Sequence, residues 1–226
     1  MNTDDSDPPV DELLAAAYAL DGPESNRALY ARWADTYETG FIVDSGYIYH
    51  QQVAAVFAQR CSRGLTAGDA VVDVECGTGL AGAALRPLAP AAIDGLDISP
   101  EMLEQASRKR HDGAAVYRRL LAVDLTQHIE IPDHTYAGAV SVGTFTHGHV
   151  GPASLAEVVR IVRPGGLMAI GINAAHFAAA GFGAAFEALT DAGRITPVEL
   201  ADVPIYAGAD MSDPDQFAHV AVFAVR

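Results

Sequence analysis

Residues 70–82, AVVDVECGTGLAG, run through apolar positions to an acid and then turn at once on glycines. Apolar residues on consecutive positions suit a strand covered on both faces, and a glycine turn leading into alanine-rich sequence suits the start of a helix. The same alternation continues downstream, with strands expected at about 91–97, 116–123, 136–142 and 166–172 and helices at about 79–86, 100–109, 153–163 and 177–192. Strands and helices in that order build a parallel sheet with helices on both faces. The chain closes differently: RITPVELADVPIY and QFAHVAVFAVR both read as strands, with only AGADMSDPD between them. That link is too short for a parallel crossover, so the two should pair as an antiparallel hairpin. The expected fold is α/β: a doubly wound, seven-stranded, mostly parallel Rossmann-like sheet whose last strand is antiparallel. Three helical segments, about 11–20, 25–39 (with Ser25 as a cap) and 46–63, precede it. Residues 1–66 are therefore read as a tail and helical cap, and 67–226 as the sheet domain.

Composition narrows the partners. A formal charge of −15, from 14 Lys plus Arg against 29 Asp plus Glu, repels a phosphate backbone, so no nucleic-acid partner is expected. No apolar stretch approaches the length of a membrane span, and the opening MNTDDSDPPV is acidic where a secretory signal is basic, so a cytoplasmic protein with no membrane partner is expected. Cys61 and Cys76 form neither a disulfide framework nor a paired metal knuckle, and the single lysine, Lys109, sits in the charged stretch SRKRHD.

The first turn carries backbone N–H groups and a helix start to the carboxyl edge of the sheet, where such folds bind ligands. Taken literally, Gly77 to Gly82 reads G-x-G-x-x-G, a dinucleotide pattern, yet Asp73 and Glu75 crowd the approach. Two like unit charges about 4 Å apart repel by roughly 4 kcal/mol at an effective dielectric of about 20, a cost for a pyrophosphate and none for a ligand bearing cationic groups. Asp73 is equally suited to bonding the turn. Two further acids follow the next two strands. Asp97 stands 24 positions after Asp73, where a carboxylate can accept both hydroxyls of a ribose. Behind it Ser99 caps a helix with Pro100 in its first position, and Met102 is placed either over an adenine face or in the core. Asp124, in LLAVDLTQ, can accept from an adenine amino group, with the Leu125 N–H answering a ring nitrogen.

On these residues the chain resembles the class I S-adenosylmethionine-dependent methyltransferases from about residue 25 onward. Asp73-Val74-Glu75-Cys76-Gly77-Thr78-Gly79 is similar to the family's first-strand motif, GLDIS to its ribose-binding acid at Asp97, and VDL to its adenine-reading acid at Asp124. EVVRIVRPGGLMAIGIN looks like its helix, turn and fifth strand. Within the family, YARWADTYETGF and FTHGHVGPASLAEVVRIVRPGG look most like small-molecule-type members related to methyltransferase-like protein 27. The resemblance implies S-adenosyl-L-methionine as cofactor, held by Asp73, Glu75, Gly77, Gly79, Asp97, Ile98, Met102, Asp124, Leu125 and Val142. Tyr30, Trp33 and Tyr37 would close over its methionine end, although their helical spacing suits plain packing too. Glu75 departs from the pattern, because it stands where the family motif has its first glycine; it could pair with the cofactor's ammonium or intrude on its carboxylate.

Methyl transfer needs alignment more than an elaborate catalytic set. For a hydroxyl acceptor a base helps, and His147 and His149, in VSVGTFTHGHVGP after the fourth strand, are the candidates. No acid pair accompanies them, so no metal is expected. SVGT stands where amino-methylating nucleic-acid enzymes carry an Asp/Asn/Ser-Pro-Pro-aromatic tetrad, which favours a small-molecule acceptor. Phe177, Phe182, Phe186 and Leu189, with Tyr47 and Tyr49, are candidate walls for it. Two alternatives stay open: other chemistry on the same cofactor, such as an intramolecular displacement releasing methylthioadenosine, and a nicotinamide-dependent oxidoreductase, which lacks here a Tyr-x-x-x-Lys pair.

Overall fold

The computed structural model describes residues 16–17, 22–61, 64–146 and 150–226. Seven strands form one sheet: β1 (Ala70–Val74), β2 (Ala92–Asp97), β3 (Tyr117–Ala122), β4 (Tyr136–Phe145), β5 (Val162–Asn173), β6 (Glu199–Pro204) and β7 (Phe217–Ala224), in the order β3-β2-β1-β4-β5-β7-β6. The pairings from β3 through β5 are parallel, and β7 runs antiparallel to both β5 and β6. The terminal hairpin and the antiparallel last strand are as the short AGADMSDPD link requires.

Every residue of β1 is buried, as a central strand of a covered sheet must be. Its alternation sorts the two cores: Val71 packs with Phe57, Leu85, Ile93 and Leu103 on one face, Val72 and Val74 with Leu96, Ile161, Met168 and Phe182 on the other. The first face is covered by α2 (Tyr49–Cys61), α3 (Leu80–Leu85) and α4 (Pro100–Ser107), the second by α5 (Leu155–Ile161) and α7 (Phe182–Asp191). A third cluster holds Leu29 and Trp33 of α1 (Pro23–Trp33) against Phe41, with Tyr30, Tyr37, Tyr47 and Tyr206 packed on it. No helix among the described residues is long and apolar enough to cross a membrane.

Three boundaries differ from the periodicity. The segment expected as one helix at 25–39 leaves regular geometry after Trp33 and passes through a π-helical turn at Glu38–Ile42. The helix expected at 177–192 is two, α6 (Ala174–Ala180) and α7, because Gly181 takes a left-handed φ of 76° that ends the first and starts the second. The strand expected at 136–142 runs on to Phe145 through an irregularity in its pairing with β5 between Ser141 and Phe145. There the Ser141 and Thr144 hydroxyls both reach the Val74 carbonyl, at 3.1 and 3.2 Å, pinning the end of β4 to the end of β1. The helix expected at 11–20 lies, but for residues 16 and 17, outside the described residues.

Candidate active site

Strand order reverses between β1 and β4, which leaves a crevice at their carboxyl ends. A solvent-open cleft of about 740 Å³ occupies it. Its floor is the turn after β1: the Cys76 N–H donates to the Leu96 carbonyl at 2.8 Å and the Gly79 N–H to the Cys76 carbonyl at 2.9 Å. Gly77 has φ 54° and lines the cleft, and a Cβ built on it would meet nothing within 4 Å. Here the backbone itself is open to a ligand.

Asp97, 5% exposed at the end of β2, reaches the same wall. One carboxyl oxygen accepts from the Gly77 N–H at 2.7 Å and the other from the Ser99 N–H at 2.8 Å, so this acid locks the glycine turn to the cap of α4. Burial pushes its carboxyl up to about 6, against the N–H groups of Ser99, Gly77 and Ile98. Met102, held by the Ser99 cap, lies under the cleft and is 2% exposed. Glu75, Ile98, Asp124 and Leu125 line an adjoining compartment, and Glu75 lines both. Asp124 accepts from the Thr126 N–H at 2.8 Å and hydroxyl at 2.6 Å, a short Asx turn that fixes its carboxyl beside the compartment. Val142 and Gly143, aimed by the irregular end of β4, complete the far wall.

Glu75 has φ 54°, a left-handed backbone rare for a side chain of this kind. Burial first, then Asp97 and Asp124, raise its carboxyl well above the ordinary glutamate range, against one N–H from Ile98. Its side chain thus faces the acids after β2 and β3, at the junction of the two compartments.

Three of the residues expected at the cofactor are absent from the lining of the cleft and its adjoining compartment. Asp73 is fully buried and accepts from the Tyr117 hydroxyl at 2.6 Å, because strand alternation turns it onto the face of Val71, beneath the glycine turn. Burial raises its carboxyl to about 7, against the Tyr117 hydroxyl and the Gly82 N–H. Gly79, with φ 94°, backs onto Tyr117 and Ala106, where a Cβ would come within 2.9 and 3.2 Å, so its role is close packing of the turn on α4. Trp33 is buried in the wall of a second, part-open cavity, whereas Tyr30 and Tyr37 line both that cavity and the cleft. His147 and His149 lie outside the described residues.

The second cavity is aromatic: Tyr30, Trp33, Tyr37, Phe41, Tyr47, Tyr49, Phe145 and Tyr206 line it, with Asn173 as a polar wall. Among its described lining residues none is Asp, Glu, Lys, Arg or His. It shares Tyr30, Tyr37, Tyr47 and Gly143 with the cleft. Of the walls read from sequence, Tyr47 and Tyr49 are present. Phe182 and Phe186 are core residues behind the sheet, and Phe177 stacks on Phe182 at 6.1 Å. Sequence reasoning missed His50, which lines the cleft with its ring stacked on Tyr47 at 5.8 Å. Its Nδ1 is buried without a partner, and burial lowers its proton affinity, Glu38 opposing and Lys109 adding to that effect. The signal was its place three residues after Tyr47. Phe41, Phe145 and Tyr206 come from separate segments and carry no local signal.

Residues 71–166 match the family described as Methyltransferase domain. The chain is 29% identical over 165 residues to methyltransferase-like protein 27 of Homo sapiens, covering 72% of this chain and 64% of that protein. It is 29% identical over 163 residues to a demethylmenaquinone methyltransferase of Symbiobacterium thermophilum, covering 68% and 62%. The chain thus spans less than two thirds of the length of either relative. The structure of a TehB-like S-adenosylmethionine-dependent methyltransferase from Corynebacterium glutamicum shares the fold, with a TM-score of 0.56 and 20% identity over 88% of this chain and 99% of that one. In the matched domain and in its fold the chain is similar to S-adenosylmethionine-dependent methyltransferases.

Proposed function

We propose that this protein transfers the methyl group of S-adenosylmethionine to a small, uncharged, flat acceptor. One observation carries the reading: an acidic cleft at the carboxyl edge of the sheet runs, through shared tyrosines, into an aromatic cavity with no charged lining residue among those described. The cleft suits the cofactor. Gly77 leaves room for close approach, Glu75, Asp97 and Asp124 face a cationic ligand, and no Lys or Arg lines either compartment among the described residues.

When bound, S-adenosylmethionine supplies a methyl group already activated on a sulfonium. Asp97 keeps a lone pair on each oxygen for the ribose hydroxyls after accepting from Gly77 and Ser99. Asp124 and Leu125 are the partners for the base edge, beside Ile98. Tyr30 and Tyr37, common to both cavities, offer aromatic faces to a cation at their junction. The aromatic walls orient a flat acceptor and exclude water, which is where most of the acceleration of such a displacement arises. His50 is the candidate base. Burial keeps its ring neutral, so it can take the proton of a hydroxyl acceptor. The name of the Symbiobacterium thermophilum relative supports a small-molecule acceptor.

Incubation with methyl-labelled S-adenosylmethionine and a panel of phenols, amines and carboxylic acids, read by mass spectrometry, tests this. S-adenosylhomocysteine should form only with an acceptor present, and uncharged aromatic acceptors should lead. Methylthioadenosine released without any acceptor would replace the reading with an internal displacement.

A further inference from the structure

We propose that Glu75 is a specificity-determining residue of the cofactor groove, one that makes the site prefer the cationic sulfonium donor to the neutral thioether left after transfer. The inference rests on the methyltransferase reading above. The two ligands differ by one methyl group and one positive charge at sulfur, so a residue that separates them must act through charge or through contact with that methyl group.

Three independent observations meet at Glu75. First, its backbone has φ 54°, a conformation that glycine adopts freely and a glutamate adopts only against strain. The resemblance to the family has glycine at this position, so a side chain here is an addition to the groove. Second, the side chain does not turn out to bulk solvent. It lines both the compartment of Asp97 and Gly77 and the compartment of Asp124 and Leu125, standing at their junction. Third, among the described residues no Lys or Arg lines either compartment. Asp97 faces it from the end of β2 and Asp124 from the end of β3, the Ile98 N–H is its backbone donor, and Cys76 is its neighbour in its own turn. From α1 come Pro23, Asn26 and Tyr30, and from α2 comes His50, whose proton affinity burial lowers.

Burial and both neighbouring acids oppose the charge of a third carboxyl wedged between them, so its proton affinity is raised in the ligand-free groove. A cation arriving nearby reverses that balance and draws the proton off. Binding of the sulfonium ligand therefore releases a proton and gains the attraction of an extra anion; binding of the thioether gains neither to the same degree. The consequence is a groove whose preference for the sulfonium donor over the spent cofactor exceeds that of a glycine-bearing groove.

The test is calorimetric titration of the protein with S-adenosylmethionine and with S-adenosylhomocysteine, each in two buffers of different ionisation heat, for the wild type, Glu75→Gln and Glu75→Gly. The wild type should release more proton with the sulfonium ligand than with the thioether, and its affinity ratio in favour of the sulfonium should exceed that of both variants by roughly fivefold at low salt. Glu75→Gln keeps the shape and removes the charge, and Glu75→Gly also relieves the backbone, so agreement between them separates charge from strain. Equal affinity ratios in all three proteins, or proton release unchanged by Glu75→Gln, would overturn the assignment while leaving cofactor binding intact. A wild type that binds neither ligand overturns the methyltransferase reading and this inference with it.

Discussion

The turn that forms the cleft floor stands on a buried unit of three residues, and Gly82→Ala probes it. A Cβ at Gly82 would fall 2.3 Å from the Tyr117 hydroxyl and 2.4 Å from its Cζ, far inside contact distance. Tyr117 is 7% exposed and cannot swing into water, so it must shift within a packed core, at about 1–3 kcal/mol. That shift breaks its 2.6 Å bond to the buried Asp73 carboxyl, which costs a further ~1.5–3 kcal/mol because the acceptor is left without its hydroxyl partner. Alanine returns about 1 kcal/mol through helix propensity in α3. The net loss is about 1.5–5 kcal/mol. Urea denaturation at fixed pH measures it, with an unchanged slope as the sign that the denatured state is unaltered. Tyr117→Phe removes the oxygen nearest the new methyl group and the bond together, so the double variant should be less destabilised than the sum of the singles by about 1–2 kcal/mol. Strict additivity, or a Gly82→Ala protein as stable as wild type, would show that Tyr117 and Asp73 do not form the unit described.

Asp73 itself predicts a pH dependence. Its carboxyl is raised from 3.8 to about 7, so the native state binds a proton that the unfolded chain releases, and stability falls as pH rises from about 4 to about 7. Three units at about 1.4 kcal/mol each bound the effect at roughly 4 kcal/mol, and in Asp73→Asn denaturation midpoints should lose most of this decline. Asp97→Ala should weaken S-adenosylhomocysteine binding by roughly 1.5–3 kcal/mol in calorimetry, since it removes a charge-assisted acceptor and frees the Gly77 turn; unchanged affinity would take Asp97 out of the site. Asp94 answers in the opposite sense to Asp73. Burial alone would raise its carboxyl, but Arg118 and Arg119, each bonded through two nitrogens at 2.6–2.9 Å, hold it below the usual range. Its contribution is present above pH of about 4 and lost as pH falls through the lowered value; Asp94→Ala should cost about 3 kcal/mol at neutral pH and nothing extra in strong acid.

The strands, their parallel order and the closing hairpin were legible because burial imposes a local period, and a nine-residue link excludes a crossover without reference to anything distant. The Ser99 cap and the acids at the ends of β2 and β3 were legible for the same reason: each is defined by its neighbours in the chain. Direction was not. Asp73 reads as a ligand-facing acid until strand alternation and Tyr117, 44 positions away, turn it beneath the glycine loop. Trp33 and Tyr37 share a helical spacing in the sequence, yet the break after Trp33 sends one into the aromatic cavity and lets the other line both cavities.

The sequence by itself determined the sheet, the glycine turn and the acidic character of its edge, since hydrophobic period, backbone freedom and net charge are properties of neighbouring residues. Only the tertiary structure decided which acids line the cleft, how Glu75 comes to stand between Asp97 and Asp124, and that His50 lines the cleft while Tyr206 and Phe145 line the adjoining aromatic cavity. Those contacts join segments far apart in the chain, and their geometry is set by how helices and strands pack, which no local pattern records.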